Sequence, residues 1–219
     1  MGTNSTARIA SAVAILATAY FIVAAIATHF VSLQYNIIRD YISDYAVGPN
    51  GWIYGSAFLA SCIGSIALAS ALWAALPPPS RSRTGIVLLA IVGITYAVDL
   101  VFPTDILAPG QPPQTTTGLI HLAGAMLGWV LFVVAAFLIT HRLKRSDRFG
   151  QLHRPLLLLT WLTLVILVAL VAVVGARLPV GGLVEKGFIL VRNVWVLVLA
   201  LATLGQPTQL LAPSEGRLG

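Results

Sequence analysis

The sequence predicts an all-α polytopic membrane protein, a bundle of six transmembrane helices with a short interfacial helix in the first outer loop. Three observations carry this. Of 219 residues, 58% are hydrophobic and only 9% charged, whereas soluble domains carry about 25% charged residues. Thirteen basic and seven acidic side chains cannot cover a 23.2 kDa globule of mean hydropathy +0.91, and such hydrophobicity also excludes disorder. Six apolar segments recur, each near the ~20 residues that a hydrocarbon core of about 30 Å requires. They lie at 9–31, 52–76, 85–102, 118–140, 156–176 and 187–205.

Spanning segments must satisfy their own backbone, so these are helices. The first is too long for a signal-peptide core and lacks a clear small-residue cleavage site, so it is read as a retained span. In the loop that follows, Ile37, Ile38, Tyr41, Ile42 and Tyr45 share one helical face, and Arg39, Asp40 and Ser43 take the other. That pattern predicts a short helix in the membrane interface. Gly48-Pro49-Asn50-Gly51 turns the chain back at Trp52. Pro77-Pro78-Pro79 stops the second span and Pro103 the third, because proline cannot continue a helix. Thr116 or Thr117 is expected to cap the fourth. Pro155 suits the first turn of the fifth, and Gly205-Gln206-Pro207 closes the sixth. Asp99 and Arg192 interrupt the third and sixth spans, but without these helices long apolar stretches would have no core to join. No repeat or linker divides the chain, so 1–219 is read as one membrane domain.

Six spans put both termini on one side. That side carries nine basic residues: Arg8, Arg81, Arg83, Arg142, Lys144, Arg145, Arg148, Arg154 and Arg217. The other carries Arg39, Arg177, Lys186 and Arg192. The positive-inside rule then places the termini in the cytoplasm of a cell that holds the protein in its inner or plasma membrane. The basic loop 141–154 reads as the topology anchor, with a specific anionic-lipid or nucleic-acid site as the lesser reading. Membrane lipids are the expected partners, and no nucleic acid is. Met1-Gly2…Thr6 and the sequon Asn4-Ser5-Thr6 are short, common patterns given no weight. The lone Cys62 excludes an internal disulfide and a thiolate metal cage. No nucleotide loop, C-x-x-C or G-x-S-x-G elbow is present. Ser56, Ala60 and Gly64, and Ser61, Ser65 and Ala69, recur at spacings of four, which suits close helix packing within the chain or in an oligomer.

Polar atoms in hydrocarbon are costly, so their positions carry information. Asp99 falls about one turn below the outer end of the third helix, and His121 within the first turn of the fourth. Glu185 lies at the mouth of the sixth, with Arg192 and Asn193 roughly 8–10 Å deep at ~1.5 Å per residue. His121 shares a face with Gly118, Gly124 and Gly128, so it points into the bundle. Arg192 requires an anion, with Asp99 the first choice of partner and Glu185 the second. Ser43, Asp44 and Asp105 fall in the outer loops at the aqueous rim. Together Ser43, Asp44, Asp99, Asp105, His121, Glu185, Arg192 and Asn193 predict an outward-facing polar pocket.

The run Ile42-Ser43-Asp44-Tyr45-Ala46-Val47-Gly48-Pro49-Asn50-Gly51-Trp52 resembles the first outer loop of a prokaryotic six-helix membrane family, catalogued as domain of unknown function 998. So does Phe102-Pro103-Thr104-Asp105, followed by Gly118-Leu119-Ile120-His121. The resemblance implies six helices and a shared Ser-Asp, Pro-x-Asp and His pattern on Ser43, Asp44, Pro103, Asp105 and His121. It implies no activity. The residues themselves lead to the expectation that the pocket binds a lipid or small amphiphilic anion. A structural or assembly subunit is the competing class. A membrane-embedded metal-dependent hydrolase would draw on His121, His29 and Asp44, Asp99 or Asp105. Zinc hydrolases need about three protein ligands and an open position, and only two histidines fall on the outer side, without H-x-x-x-H spacing. No metal or other cofactor is therefore expected, and catalysis is left open. A proton relay through Asp99 and His121 has few polar groups to continue it inward.

Overall fold

The computed structural model describes residues 3–108 and 111–205. It contains α1 (Thr3–Val31), α2 (Gly51–Ala75), α3 (Arg83–Val101), α4 (Thr116–Leu143), α5 (His153–Gly175) and α6 (Gly181–Leu204), with no strand among the described residues. All six are long and apolar enough to cross a membrane. The helices outrun the predicted spans mainly at polar ends. A hydropathy run measures the apolar stretch, while the hydrogen-bonded helix continues into the interface.

Sequential helices pack on one another, and α6 returns to pack on α1 and α2. Small residues bring the backbones together. A Cβ on Gly64 would stand 3.2 Å from Ala17 Cβ, and one on Gly93 would stand 2.9 Å from the Cys62 carbonyl oxygen. Ala60, Ser61, Ser65 and Ala69 are buried as well, so the small-residue face of α2 packs within the chain. Between α4 and α6 the spacers are large instead. Trp129 meets Phe188 and Phe132 meets Trp195, both with ring centroids 5.4 Å apart, and Trp195 Nε1–H donates to Thr140 Oγ1 (3.2 Å). Leu16, Val23 and Phe30 of α1 and Leu158, Trp161 and Val165 of α5 are exposed, as a lipid-facing surface requires.

The first outer loop is docked on the start of α6. A helix N-terminus has four N–H groups without intrahelical partners. Here Gly182 N–H donates to the Arg39 carbonyl (3.2 Å) and Leu183 N–H to the Ile38 carbonyl (2.9 Å). Glu185, one turn further on, accepts from Ile42 N–H at Oε2 (2.6 Å). Lys186 Nζ donates to the Asp40 carbonyl (2.7 Å). The approach needs glycine, because a Cβ on Gly182 would run into the Asp40 carbonyl.

That docking shapes the loop helix. It is present as a 3-10 helix, Ile42–Ala46, shorter than the 37–45 stripe. Ile42 and Tyr45 are buried, whereas Ile37 and Ile38 are exposed. Asn36 Oδ1 accepts from Ile38 N–H (2.9 Å) and Arg39 N–H (3.0 Å), and the carbonyls of Ile38 and Arg39 serve α6. Backbone groups committed in this way cannot continue a helix.

Two outcomes test this architecture. Gly182→Ala should lower the detergent melting point by the equivalent of about 1–3 kcal/mol, the usual cost of overpacking. Gly187→Ala, where a Cβ meets nothing within 4 Å, should be neutral or slightly stabilising. In a Cys62→Ala background, Pro49→Cys should react with an impermeant thiol reagent added to intact cells, and Asp147→Cys should not. The reverse labelling would place the termini outside.

Candidate functional site

The second outer loop is organised by Asp105. Pro103 ends α3, and the chain returns so that Asp105 Oδ2 accepts from Gln114 N–H (2.8 Å) and Thr115 N–H (2.9 Å). Thr115 Oγ1–H donates to Asp105 Oδ1 (2.8 Å) and accepts from Gly118 N–H (2.9 Å). Thr115 is thus the cap of α4, one residue before the expected Thr116 or Thr117. Gly118 is packed on the Asp105 carboxylate, which a Cβ there would displace. Asp105 is therefore a clamp between loop and helix.

His121 uses the other end of the same junction. The Phe102 carbonyl, at the C-cap of α3, lies 2.8 Å from His121 Nδ1. A carbonyl only accepts, so Nδ1 carries the hydrogen and Nε2 is left as the ring's acceptor. As the sequence predicts, His121 is buried and its helix face packs closely. A Cβ on Gly124 would stand 2.7 Å from Asp99 Oδ1, and Gly128 abuts Thr95. Asp99 Oδ1 lies 4.0 Å from His121 Nδ1, beyond hydrogen-bonding range. This oxygen is buried with no hydrogen-bond partner, and Asp99 as a whole is 4% exposed.

These groups open into one cavity of about 340 Å³ under the two outer loops. That is the lower end of the ~300–1,000 Å³ range of small-molecule sites. Asp99, His121, Glu185, Ser43 and Asp105 line it. Its aromatic wall is Phe21, Tyr54, Phe58, Tyr96 and Trp129, with Phe58 set edge-on to His121 at 5.8 Å. Sequence reasoning missed that wall. The spacing of Tyr54 and Phe58, and of Tyr96 and Asp99, shows each pair on one helix face, but aromatic residues at such spacing are ordinary core.

Several expectations need correction. Asp44 is not at the aqueous rim. It is 4% exposed, and its Oδ2 accepts from Tyr41 N–H (2.9 Å), which starts the 3-10 helix. Glu185 is buried inside α6 rather than at its mouth, because the helix begins at Gly181. For the same reason Arg192 lies roughly 16 Å along the helix from that end at ~1.5 Å per residue. It pairs with neither Asp99 nor Glu185. Its Nη1 donates to Asn193 Oδ1 (3.0 Å) and its Nη2 to Ser65 Oγ (3.1 Å). Its guanidinium lies 4.7 Å from the centroid of Tyr96 and 5.4 Å from that of Phe132, so aromatic faces take the place of the expected anion. Neither Arg192 nor Asn193 lines the cavity. His29 is stacked on Tyr45 at 4.8 Å, away from the cavity. No group of three His, Cys, Asp or Glu able to hold a metal occurs among the described residues.

Residues 15–202, most of the chain, match the family described as protein of unknown function (DUF998). The chain belongs to the DUF998 family. No curated protein and no solved structure matches it. In this DUF998 chain the Ser-Asp and Pro-x-Asp motifs both fall on loop-folding hydrogen bonds, and the histidine falls on the helix junction behind them.

The loop carboxyls titrate in opposite directions. Thr115 and Gln114 hold Asp105 below the usual carboxylate range. Burial pushes Asp44 up to about 7, with Asp40 adding and Lys186 opposing. Folded Asp44 therefore keeps its proton where the unfolded chain, near 3.8, has lost it. Stability falls with rising pH where the folded state binds more protons. The Asp44 contribution should accordingly be full near pH 4, decline towards about pH 7 and stay flat above. Asp44→Asn keeps the acceptor for Tyr41 and removes the titration. Its detergent melting point should vary less between pH 5 and 7 than that of the unmodified chain, and equal slopes would assign the dependence elsewhere.

Proposed function

We propose that this DUF998 protein holds an amphiphile in the cavity beneath its outer loops, with the head group on Asp99 and His121 and the tail along the aromatic wall. The single observation behind this reading is Asp99. The other buried carboxyls have structural tasks: Asp44 starts the loop helix and Glu185 holds Ile42 N–H. Asp105, at the rim, caps α4. Asp99 has no such task, since its Oδ1 is buried, faces the cavity side of α3 and lacks a partner. An unmade hydrogen bond at a buried group costs about 1–3 kcal/mol, which a ligand O–H or N–H would recover.

The lining also selects the head group. It carries three carboxyls and a histidine acceptor, and no arginine or lysine among its described residues. With Arg192 outside the lining, an anionic head group has no counter-charge there. A hydroxyl or protonated amine suits both the carboxyls and the aromatic faces. The positive-inside distribution of arginines and lysines puts this side of the bundle outside the cell. The hydrolase reading lacks a converging ligand set, and the assembly reading leaves Asp99 without a purpose.

Three twelve-carbon probes with one tail separate the readings. Dodecylamine and dodecanol should change the fluorescence of Trp129, with Trp129→Phe as the blank, at concentrations at least tenfold below laurate. Ala125→Trp, which fills the cavity, should abolish all three responses. Asp99→Asn should remove the preference for the amine with little change in expression. Equal or tighter binding of laurate would overturn the proposal.

A further inference from the structure

On the opposite face of the bundle, which carries the chain termini, a second cleft of about 870 Å³ opens where α3 begins and α4 ends. From the arrangement of this cleft we infer that it is a binding site for the phosphate head group of an anionic phospholipid. It is independent of the cavity beneath the outer loops.

Its polar half is assembled from three parts of the chain. Arg81 comes from the α2–α3 turn, Arg83 from the first residue of α3, and His141, Arg142 and Arg145 from the end of α4 and the link beyond it. The helices meet tightly here, since a Cβ on Gly85 would stand 2.8 Å from Ile139 Cγ1 and 3.1 Å from Leu138 Cβ. Arginines separated by some sixty residues of sequence are thereby held around one cleft. None has a carboxylate partner: among the described residues the ion pairs are Arg39–Asp40 and His121–Asp99, and the nearby acid Asp147 is not in the lining.

One of these cations is already fixed in place. Arg81 donates from Nε (3.0 Å) and Nη2 (2.7 Å) to the Leu76 carbonyl and lies 4.9 Å over the Trp73 ring, which leaves Nη1 unused. Ser82 Oγ accepts from Gly85 N–H (3.2 Å), so the start of α3 is capped and its remaining dipole adds positive potential. Four guanidinium groups without a counter-charge repel one another, and an anion relieves that repulsion. Arginine matches phosphate oxygens in a bidentate fork.

The other half of the cleft points to a lipid rather than a soluble anion. Phe137, Leu138 and Leu157 line it, and Phe137 is set edge-on against Trp161 at 4.9 Å. Trp161 and Leu158 are exposed on the lipid-facing surface of α5, so the apolar floor runs directly into the hydrocarbon. Charges at helix ends with an apolar floor beneath them match a phosphate at the interface and acyl chains below it.

The test uses the full chain in mixed micelles doped equally with phosphatidylglycerol and phosphatidylcholine, read by native mass spectrometry. Phosphatidylglycerol should be retained at least tenfold over phosphatidylcholine. Arg83→Gln with Arg142→Gln should reduce that ratio at least fivefold. Lys144→Gln with Arg154→Gln removes the same charge from the same face but outside the lining, and should leave the ratio within twofold. Should the first pair fail to fold, Arg145→Gln alone should reduce the ratio at least twofold. Equal losses in both pairs would show general surface charge and overturn the site. Displacement of the lipid by 10 mM inorganic phosphate as readily as by added phosphatidylglycerol would show a free-phosphate site and overturn the lipid assignment.

Discussion

The start of α6 is a helix N-terminus buried among other helices and a loop, and its free N–H groups must find acceptors there. Gly181 and Gly182 are buried, and the first outer loop supplies its own carbonyls to Gly182 and Leu183. In return Glu185 offers a carboxylate oxygen to Ile42 N–H. Each segment therefore satisfies backbone groups of the other, and neither arrangement is affordable alone in an apolar setting. The roof of the outer cavity, the burial of Asp44 and the position of Tyr41 all follow from this exchange. Gly182 marks its steric requirement, because only a residue without Cβ lets the Asp40 carbonyl approach.

The ionisable residues of the loop side then separate by what they do. Asp44, Asp105 and Glu185 each accept a backbone N–H that organises a loop or a helix start. His121 is half committed, with Nδ1 on the Phe102 carbonyl and Nε2 left over. Asp99 alone combines deep burial with an oxygen that no protein group satisfies. Arg192 would have been the natural counter-ion, yet it is held on the far side of Tyr96 by Ser65, Asn193 and two aromatic rings. The separation leaves a carboxylate-lined chamber on one side of that ring and an aromatic-packed cation on the other. It is the reason a neutral or cationic head group fits the chamber better than an anionic one.

Charge is distributed along the membrane normal in the same sense. The loop side presents carboxyls around a closed cavity, and the terminal side presents arginines around an open cleft. Both sites sit where α4 meets its neighbours at one of its ends. At the upper end glycines let α3 approach and leave Asp99 beside His121. At the lower end Gly85 lets α3 approach and gathers Arg83 beside Arg142. Between them, Trp129 and Phe132 keep α4 away from α6, and Trp129 closes the inner end of the cavity.

By itself the sequence determined the membrane class, the six helices and the asymmetry of charge, because these depend on composition, segment length and the position of prolines. It also determined that His121 faces inward, since the glycines at 118, 124 and 128 share its helical face. Only the tertiary structure decided which polar groups meet. Helical phase gives the direction of Asp99 and Arg192 but not the identity of what stands between them, and Tyr96 stands there. Nor could Asp44 and Asp105 be distinguished from solvated rim charges by position alone. Their partners are backbone N–H groups of Tyr41, Gln114 and Thr115, and every residue but proline carries such a group, so no residue type announces it. Apolar burial is written into the identity of a side chain, whereas hydrogen-bond partnership depends on where the rest of the chain has been brought.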